Sequence, residues 1–173
     1  FIAEEGRYPE NIGIVLWSGS NMRSHGQCIA EFLYLMGIKP KYQSGSMRVN
    51  GLEVIPLAEL KRPRIDVTAR ISGLFRDSMP SVAELLDKAV LLAASLDEKD
   101  EDNYVKKHIT AESAELEESE GMTKEEAWRQ AAFRIFGDQQ GVYGAGVAAL
   151  LEAKNWDTID DIADVYVRRG GHA

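Results

Sequence analysis

Two polar turns each follow an apolar, β-branched run that is typical of a buried strand, one at residues 11–17 and the other at 64–72. Ligands of an open parallel sheet bind at the carboxyl ends of its strands. If the two strands are parallel neighbours, their turns therefore meet at one rim. The polar side chains that this arrangement would bring together are Ser18, Ser20, Asn21, Arg23, Arg76 and Asp77.

The same residue types also have a purely structural interpretation. Ser20 and Asn21 are favourable helix N-caps, and Asp77 could cap the helix that follows the second strand. Arg76 could simply pair with Asp77. From the residues alone, a ligand-binding rim and a pair of helix starts remain equally open.

Histidine is the side chain best suited to proton transfer near neutral pH, and the chain has three: His25, His108 and His172. His108 lies one helical turn after Tyr104 and is the strongest candidate for a general base, although a single helix histidine is more often a surface or core residue. There is no HExxH motif and no paired-cysteine spacing, which argues against a tight metal site built by protein ligands alone.

A glycine-rich stretch at residues 136–146 precedes a predicted helix. Such a loop can present backbone N–H groups to an anion. An equally good interpretation is a loop that needs positive φ at several positions. The stretch is neither a Walker A motif nor a GxGxxG motif, so we do not expect it to bind ATP in the P-loop manner.

Composition and charge narrow the classes of function. The chain has 173 residues and a net charge of −8, without the basic stripe that a nucleic-acid groove requires. It has one cysteine, Cys28, which fits a reducing compartment, and no apolar run of the ~20 residues that a membrane span needs. We expect a cytoplasmic protein. The first residue is not methionine and the sequence stops shortly after two glycines, so we expect a segment of a longer chain.

Alternating strand and helix signals predict an α/β fold: a small, mostly parallel sheet with flanking helices in residues 9–97, followed by a helical part in residues 98–173. A further strand is predicted at about 38–43, with a small hairpin turning at Asn50 and Gly51. No strand is predicted after Ser72. Helices are predicted to end at Met36 before Gly37 and to span 56–63, 81–96, 103–118, 123–135, 147–154 and 158–168.

Two helix starts show the capping-box pattern, Ser81 with Glu84 and Thr123 with Glu126. The charge run after Leu96 is a plausible boundary between the two parts. A second acidic run, at residues 111–120, is most simply the solvated face of a helix. It could also be a docking surface for a basic partner.

Six motifs, taken in order, are similar to one family. They are PENIGIVLWSGSNMRSHG, RVNGLEVIPLAELKRPRIDV, SGLFRD, NYVKKH, RIFGDQQGVYGAG and YVRRGGHA. In this order they resemble the large subunit of cobaltochelatase and its relatives, including the largest subunit of magnesium chelatase. The resemblance runs from about Pro9 to the end of the chain and implies that the chain is one internal segment of a much longer subunit.

The resemblance implies ATP-dependent insertion of a divalent metal, with cobalt favoured over magnesium, into a corrin- or porphyrin-type ring, in cobalamin biosynthesis or metal-porphyrin salvage. The metal and the tetrapyrrole are then substrates, and separate AAA+ partner subunits bind ATP and magnesium. An alternative is that this segment is a structural module that docks those partners through its acidic helix.

Chelation makes demands that match particular residue types. Two pyrrole protons must leave, which implies His108 as base, with Asp77 as a second acid/base group. If the segment lines the tetrapyrrole site, we expect Arg76, Asp77 and His108 to face a common cleft. Rim carboxylates suit arginine, and the ring suits aromatic faces. Weak transient contacts to the metal are suggested for His108 and His172. The residues proposed to bind the tetrapyrrole are Arg76, Arg23, Arg169, Trp17, Phe75 and Tyr143.

Overall fold

A computed structural model describes all 173 residues of the chain. Five strands and ten helices alternate through it. In chain order they are α1 (Ile2–Glu5), β1 (Asn11–Leu16), α2 (Ser18–Arg23), α3 (Gln27–Leu35), β2 (Ile38–Tyr42), β3 (Val49–Val54), α4 (Leu57–Leu60), β4 (Asp66–Ile71), α5 (Gly73–Ser78), α6 (Pro80–Ala94), α7 (Tyr104–Glu120), α8 (Lys124–Ala131), β5 (Ile135–Gly137), α9 (Val147–Ala153) and α10 (Ile159–Gly170).

A three-stranded parallel sheet organises the molecule, with strand order β1-β4-β5. The register pairs Asn11 with Asp66 at one end and Leu16 with Ile71 at the other. The predicted α/β class, with a small parallel sheet, flanking helices and a largely helical second half, is confirmed. None of the helices has the length and apolarity needed to cross a membrane.

The prediction that no strand follows Ser72 is wrong, because β5 pairs with the end of β4. With three residues, β5 is too short to show the alternation by which strands are recognised in a sequence. Its pairing draws the second half of the chain into the sheet. The core accordingly combines Leu16, Val67 and Phe75 with Val105 and Ile109 of α7 and with Ala131.

The second sheet is an antiparallel pair, β2 with β3. The predicted strand at about 38–43 is confirmed as β2, but the predicted small hairpin is wrong, because Asn50 and Gly51 lie inside β3 and not in a turn. The chain reverses instead between Tyr42 and Val49, where Gly45 supplies the positive φ of 72°. Gly45 lies between two serines, which also favour turns, so the sequence contains two candidate turn positions.

Two helix starts differ from their predicted form. The first predicted helix is interrupted at Ser24–Gly26, where His25 and Gly26 take left-handed conformations with φ of 55° and 85°. The capping box at Ser81 is absent, because Pro80 occupies the first turn of α6 and Met79 is its N-cap. The capping box of Thr123 with Glu126 is confirmed, as is the positive φ of Gly37.

Candidate functional site

The parallel pairing of β1 and β4 brings their carboxyl ends together, as the rim hypothesis requires. The helices that follow these strands also touch: Ser18 Oγ of α2 lies 3.1 Å from Ser78 Oγ of α5. Asn21 turns inward, and its amide donates to the carbonyl of Trp17 at 3.0 Å. Arg23 is exposed on the last turn of α2. The rim therefore exists, but Asn21 does not face it.

Local hydrogen bonding explains why β4 ends on Arg76 and Asp77. Ser72 is the N-cap of α5 and accepts from the backbone N–H of Phe75 at 3.1 Å, so Asp77 is not a cap. Phe75 is completely buried in the core, which removes it from the aromatic faces proposed for a ring. Arg76 Nε donates to Asp77 Oδ1 at 2.8 Å, and this bond raises the pKa of Arg76.

The Arg76 guanidinium has one donor left over. Its Nη1 donates to the carbonyl of Asp138, whereas its Nη2 is buried from water and has no hydrogen-bond partner. A buried donor without an acceptor is costly in a folded protein. Arg76 lines a cleft of about 530 Å³ formed by α6, α8 and the segment after β5. Arg76 therefore brings to this cleft a guanidinium whose hydrogen-bonding capacity the 173 residues do not fully use.

The glycine-rich loop folds over the start of α5 and is fastened there by side chains. The Tyr143 hydroxyl donates to Asp77 Oδ2 at 2.6 Å. Arg76 first and Tyr143 second, by hydrogen bonding, hold the pKa of Asp77 below its usual range, while Asp77 raises the pKa of Tyr143. Arg169 donates to the carbonyls of Gly144 at 2.9 Å and Tyr143 at 3.1 Å. Tyr143 is thus tied to the rim through Asp77, and Arg169 holds the loop that carries Tyr143.

Glycine is required at position 73 because the loop approaches so closely. A Cβ at that position would collide with the carbonyl oxygen of Val142 and contact the ring of Tyr143. The glycine that opens SGLFRD therefore makes room for the loop. Sequence reasoning placed the interest of this motif in its charged pair and missed the glycine.

Trp17 stands at the end of β1 with 53% of its surface exposed, beside a narrow cleft that Arg70, Asp138 and Tyr166 also line. Arg70 donates to Asp138 Oδ1 at 3.2 Å and to the Tyr166 carbonyl at 3.0 Å. Arg70 was missed by the sequence reasoning. A charged residue near the end of an otherwise apolar strand was the signal that could have found it.

His108 does not join this rim. Its Nδ1 lies 2.9 Å from Asp66 Oδ2 and its Nε2 lies 3.2 Å from Glu10 Oε2. Asp66 is the first residue of β4, whereas Arg76 lies in α5, beyond the last residue of that strand. His108 and Arg76 are therefore at opposite ends of the parallel strands. The expectation that Arg76, Asp77 and His108 share one cleft is wrong for this chain, because the strand separates them.

At that opposite edge, His108 belongs to an ionic cluster. Arg134 donates to both carboxylate oxygens of Asp66, at 2.8 and 3.1 Å, and Lys107 pairs with Glu10 at 2.6 Å. Hydrogen bonds from Lys107 first and His108 second hold the pKa of Glu10 below its usual range. Both ring nitrogens of His108 lie within hydrogen-bonding distance of carboxylates, one on β4 and one in the segment before β1. The histidine therefore links these two parts of the chain.

His172 is fixed by its backbone, which pairs with Gly137 through two hydrogen bonds of 2.8 and 3.2 Å. Its side chain lines the clefts on either side of the residues after β5. No three His, Cys, Asp or Glu side chains of the chain are arranged to hold a metal ion together. His108 and His172 are in different places, so any contact they make with a metal would be separate.

The geometry defines one class of protein, a small α/β domain whose glycine-rich loop is fastened over the carboxyl ends of its parallel strands. Comparison with known proteins makes that class specific. The family model described as CobN/Magnesium Chelatase matches residues 1–173. The chain belongs to the cobaltochelatase and magnesium chelatase large-subunit family.

Individual relatives agree with this family. An uncharacterised protein of Methanocaldococcus jannaschii is 53% identical over 100% of this chain and 14% of its own length. The aerobic cobaltochelatase subunit CobN of a Sinorhizobium species is 44% identical over 100% of this chain and 13% of its own. The solved catalytic subunit of cobaltochelatase from Mycobacterium tuberculosis has 45% identity and a TM-score of 0.87, over 98% of this chain and 14% of its own. The chain thus spans about one seventh of these proteins.

Proposed function

We propose that this chain contributes one wall of the tetrapyrrole site in the large subunit of an ATP-dependent metal chelatase. The observation that carries the proposal is the buried, unpartnered Nη2 of Arg76 at the rim of the parallel sheet. A carboxylate on the edge of a tetrapyrrole is an acceptor of the right charge and shape for that donor. Family membership supports a ligand of this class.

The surroundings of Arg76 suit a broad, flat ring. Trp17 and Tyr143 stand beside the rim with 53% and 57% of their surfaces exposed. Exposed aromatic faces can stack on a conjugated macrocycle and bury much of its apolar area. Arg23 and Arg169 remain proposed as further contacts to the edge of the ring.

Metal insertion replaces two pyrrole protons by one divalent cation, so acceptors for protons are needed near the ring. We assign this role at the rim to Asp77, which is anionic at neutral pH; because its lowered pKa makes it a weak base, it would pass a proton on to water and not keep it. His108 remains a predicted base, but one that would act from the other edge of the sheet. Cobalt remains our favoured metal, and it enters the scheme as a substrate.

We assign ATP hydrolysis to separate AAA+ subunits, which the resemblance to the chelatase family implies. We also propose a cytoplasmic location.

A specific observation favours a second role as a docking module. Glu115, Glu118 and Glu120 are exposed on α7 and form no ion pair within the chain. An uncompensated acidic face of this kind attracts a basic partner surface.

The proposal is tested by titrating the full-length protein with a carboxylate-bearing porphyrin and following the quenching of its fluorescence. Arg76→Gln should weaken binding by about tenfold or more, the effect of losing a charged hydrogen bond. Arg48→Gln removes an exposed cation from the hairpin turn and should bind like wild type. Equal affinities of wild type and Arg76→Gln would reject the assignment.

A further inference from the structure

We propose that a second pocket, on the other side of the segment after β5 from Arg76, binds another carboxylate on the edge of the same ligand. It measures about 440 Å³ and is lined by Gln139, Val142, Val165, Arg168, Arg169 and His172. The proposal rests on the proposed function and adds to it a site that fixes how the ring is oriented.

The charge of the pocket is opposite to that of the chain. The whole chain carries −8, yet two arginines and a histidine line this pocket and no carboxylate does. Arg169 donates only to the carbonyls of Gly144 and Tyr143, so no anion neutralises its charge. The two guanidinium groups repel a metal cation and attract an anion, and the imidazole of His172 can donate a hydrogen bond to that anion.

The remaining polar groups are free to turn toward a ligand. Arg168 reaches Asp164 at 3.3 Å, but this is an exposed i,i+4 pair whose members are 79% and 70% accessible. Pairs of that kind contribute little to stability, so a bound carboxylate can replace Asp164 at small cost. Gln139 offers an amide donor beside them.

The position of the pocket relative to Arg76 is the second argument. Gln139 and His172 line both this pocket and the Arg76 cleft, so the two are neighbours. The backbone of His172 is held beside the end of β5, because it pairs with Gly137. Two anion-binding points in neighbouring pockets suit a ligand with carboxylates at separate places on its edge, and together they define the orientation of that ligand.

The test compares a dipropionate porphyrin with its dimethyl ester in the full-length protein. Wild type should bind the free acid at least tenfold more tightly than the ester. The double variant Arg168→Gln/His172→Gln keeps Arg76 and should lose the share of this preference that Arg76→Gln alone leaves intact. Arg169 is kept, because it fastens the glycine-rich loop. Arg48→Gln is the matched control, and unchanged thermal unfolding verifies folding.

Each outcome decides a different question. If the double variant discriminates between acid and ester as wild type does, this pocket is not a carboxylate site, while the assignment of Arg76 can still stand. If wild type binds neither porphyrin, the proposed function fails and this inference fails with it. If the double variant loses discrimination in the background of intact Arg76, the second point of attachment is established.

Discussion

The side chains at the two ends of the parallel strands differ in their chemistry. We call the end where the strands finish the carboxyl edge and the end where they begin the amino edge. At the carboxyl edge, Arg76 and Asp77 form an ion pair that also fastens Tyr143 and leaves one guanidinium nitrogen without a partner. At the amino edge, His108 is held between Glu10 and Asp66. The charged groups of the cluster at the amino edge are paired with one another, whereas the carboxyl edge retains a hydrogen-bond donor without a partner. This asymmetry is why we place ligand binding at the carboxyl edge.

The amino-edge cluster should make stability depend on pH. The pKa of Glu10 is lowered in the folded chain, so its contribution is complete above the ordinary value of 4.5 and is lost as the pH falls through the lowered value. At pH 7, Glu10→Gln should reduce the free energy of unfolding of the 173-residue chain by up to about 1 kcal/mol, the usual range for an exposed pair. Urea unfolding at pH 7 and pH 3 measures both differences.

Below the lowered pKa, the wild type and Glu10→Gln should become equally stable. Glu59→Gln is the matched control, because Glu59 is exposed on α4 and forms no ion pair. A Glu10→Gln chain that matches wild type at pH 7 would show that the cluster is only an incidental surface feature.

Elements determine which of these residues can meet. The glycine-rich loop reaches α5 only because Gly73 has no side chain. Gly73→Ala should push the loop away and destabilise the chain by about 1–3 kcal/mol, the usual cost of overpacking. It should also make the loop a faster target for proteolysis. Gly13→Ala is the control, since nothing lies within 4 Å of a Cβ at that exposed strand position. Equal proteolysis rates for both variants would contradict the clamp.

The acidic face of α7 supports a prediction about assembly. Glu115→Lys/Glu118→Lys reverses two exposed charges and should weaken binding of the full-length protein to the proposed AAA+ partners by about tenfold, because the proposed contact is electrostatic. Tetrapyrrole binding should not change. Glu4→Lys/Glu5→Lys makes the same charge change on α1, where both residues are exposed, and serves as the control. Co-purification at two salt concentrations measures the effect; unchanged assembly would exclude this surface.

The whole molecule depends on Arg64, which is fully buried and joins its two sheets. Arg64 pairs with Glu98 at 2.7 and 2.8 Å and donates to the carbonyls of Met36, Gly37 and Ile55 around the hairpin. Arg64→Met would leave Glu98 without its partner and should cost about 3–5 kcal/mol, the usual result of breaking a buried pair. Urea unfolding checks this, with Arg48→Met as the exposed control. A loss below 1 kcal/mol would contradict the central role of Arg64.

Local signals in the sequence were sufficient for most elements but not for their assembly. The apolar runs gave β1 and β4, and the pattern of Thr123 with Glu126 gave the start of α8, because each depends on neighbouring residues alone. β5 and the position of His108 depend on pairings between distant residues. The residues next to β5 and next to His108 in the sequence give no signal for those distant partners. For the same reason the rim was predictable from two strand ends, but the clamped loop above it was not.

The central position of β4 also has a consequence for the order of events during synthesis. β4 forms hydrogen bonds with β1 behind it and β5 well ahead of it in the chain, so both pairings are non-local and folding is correspondingly slow. Until residues 135–137 emerge from the ribosome, one side of β4 is an open edge of the kind that recruits other strands. The nascent subunit therefore passes through a stage prone to aggregation, which ends when three residues complete the sheet.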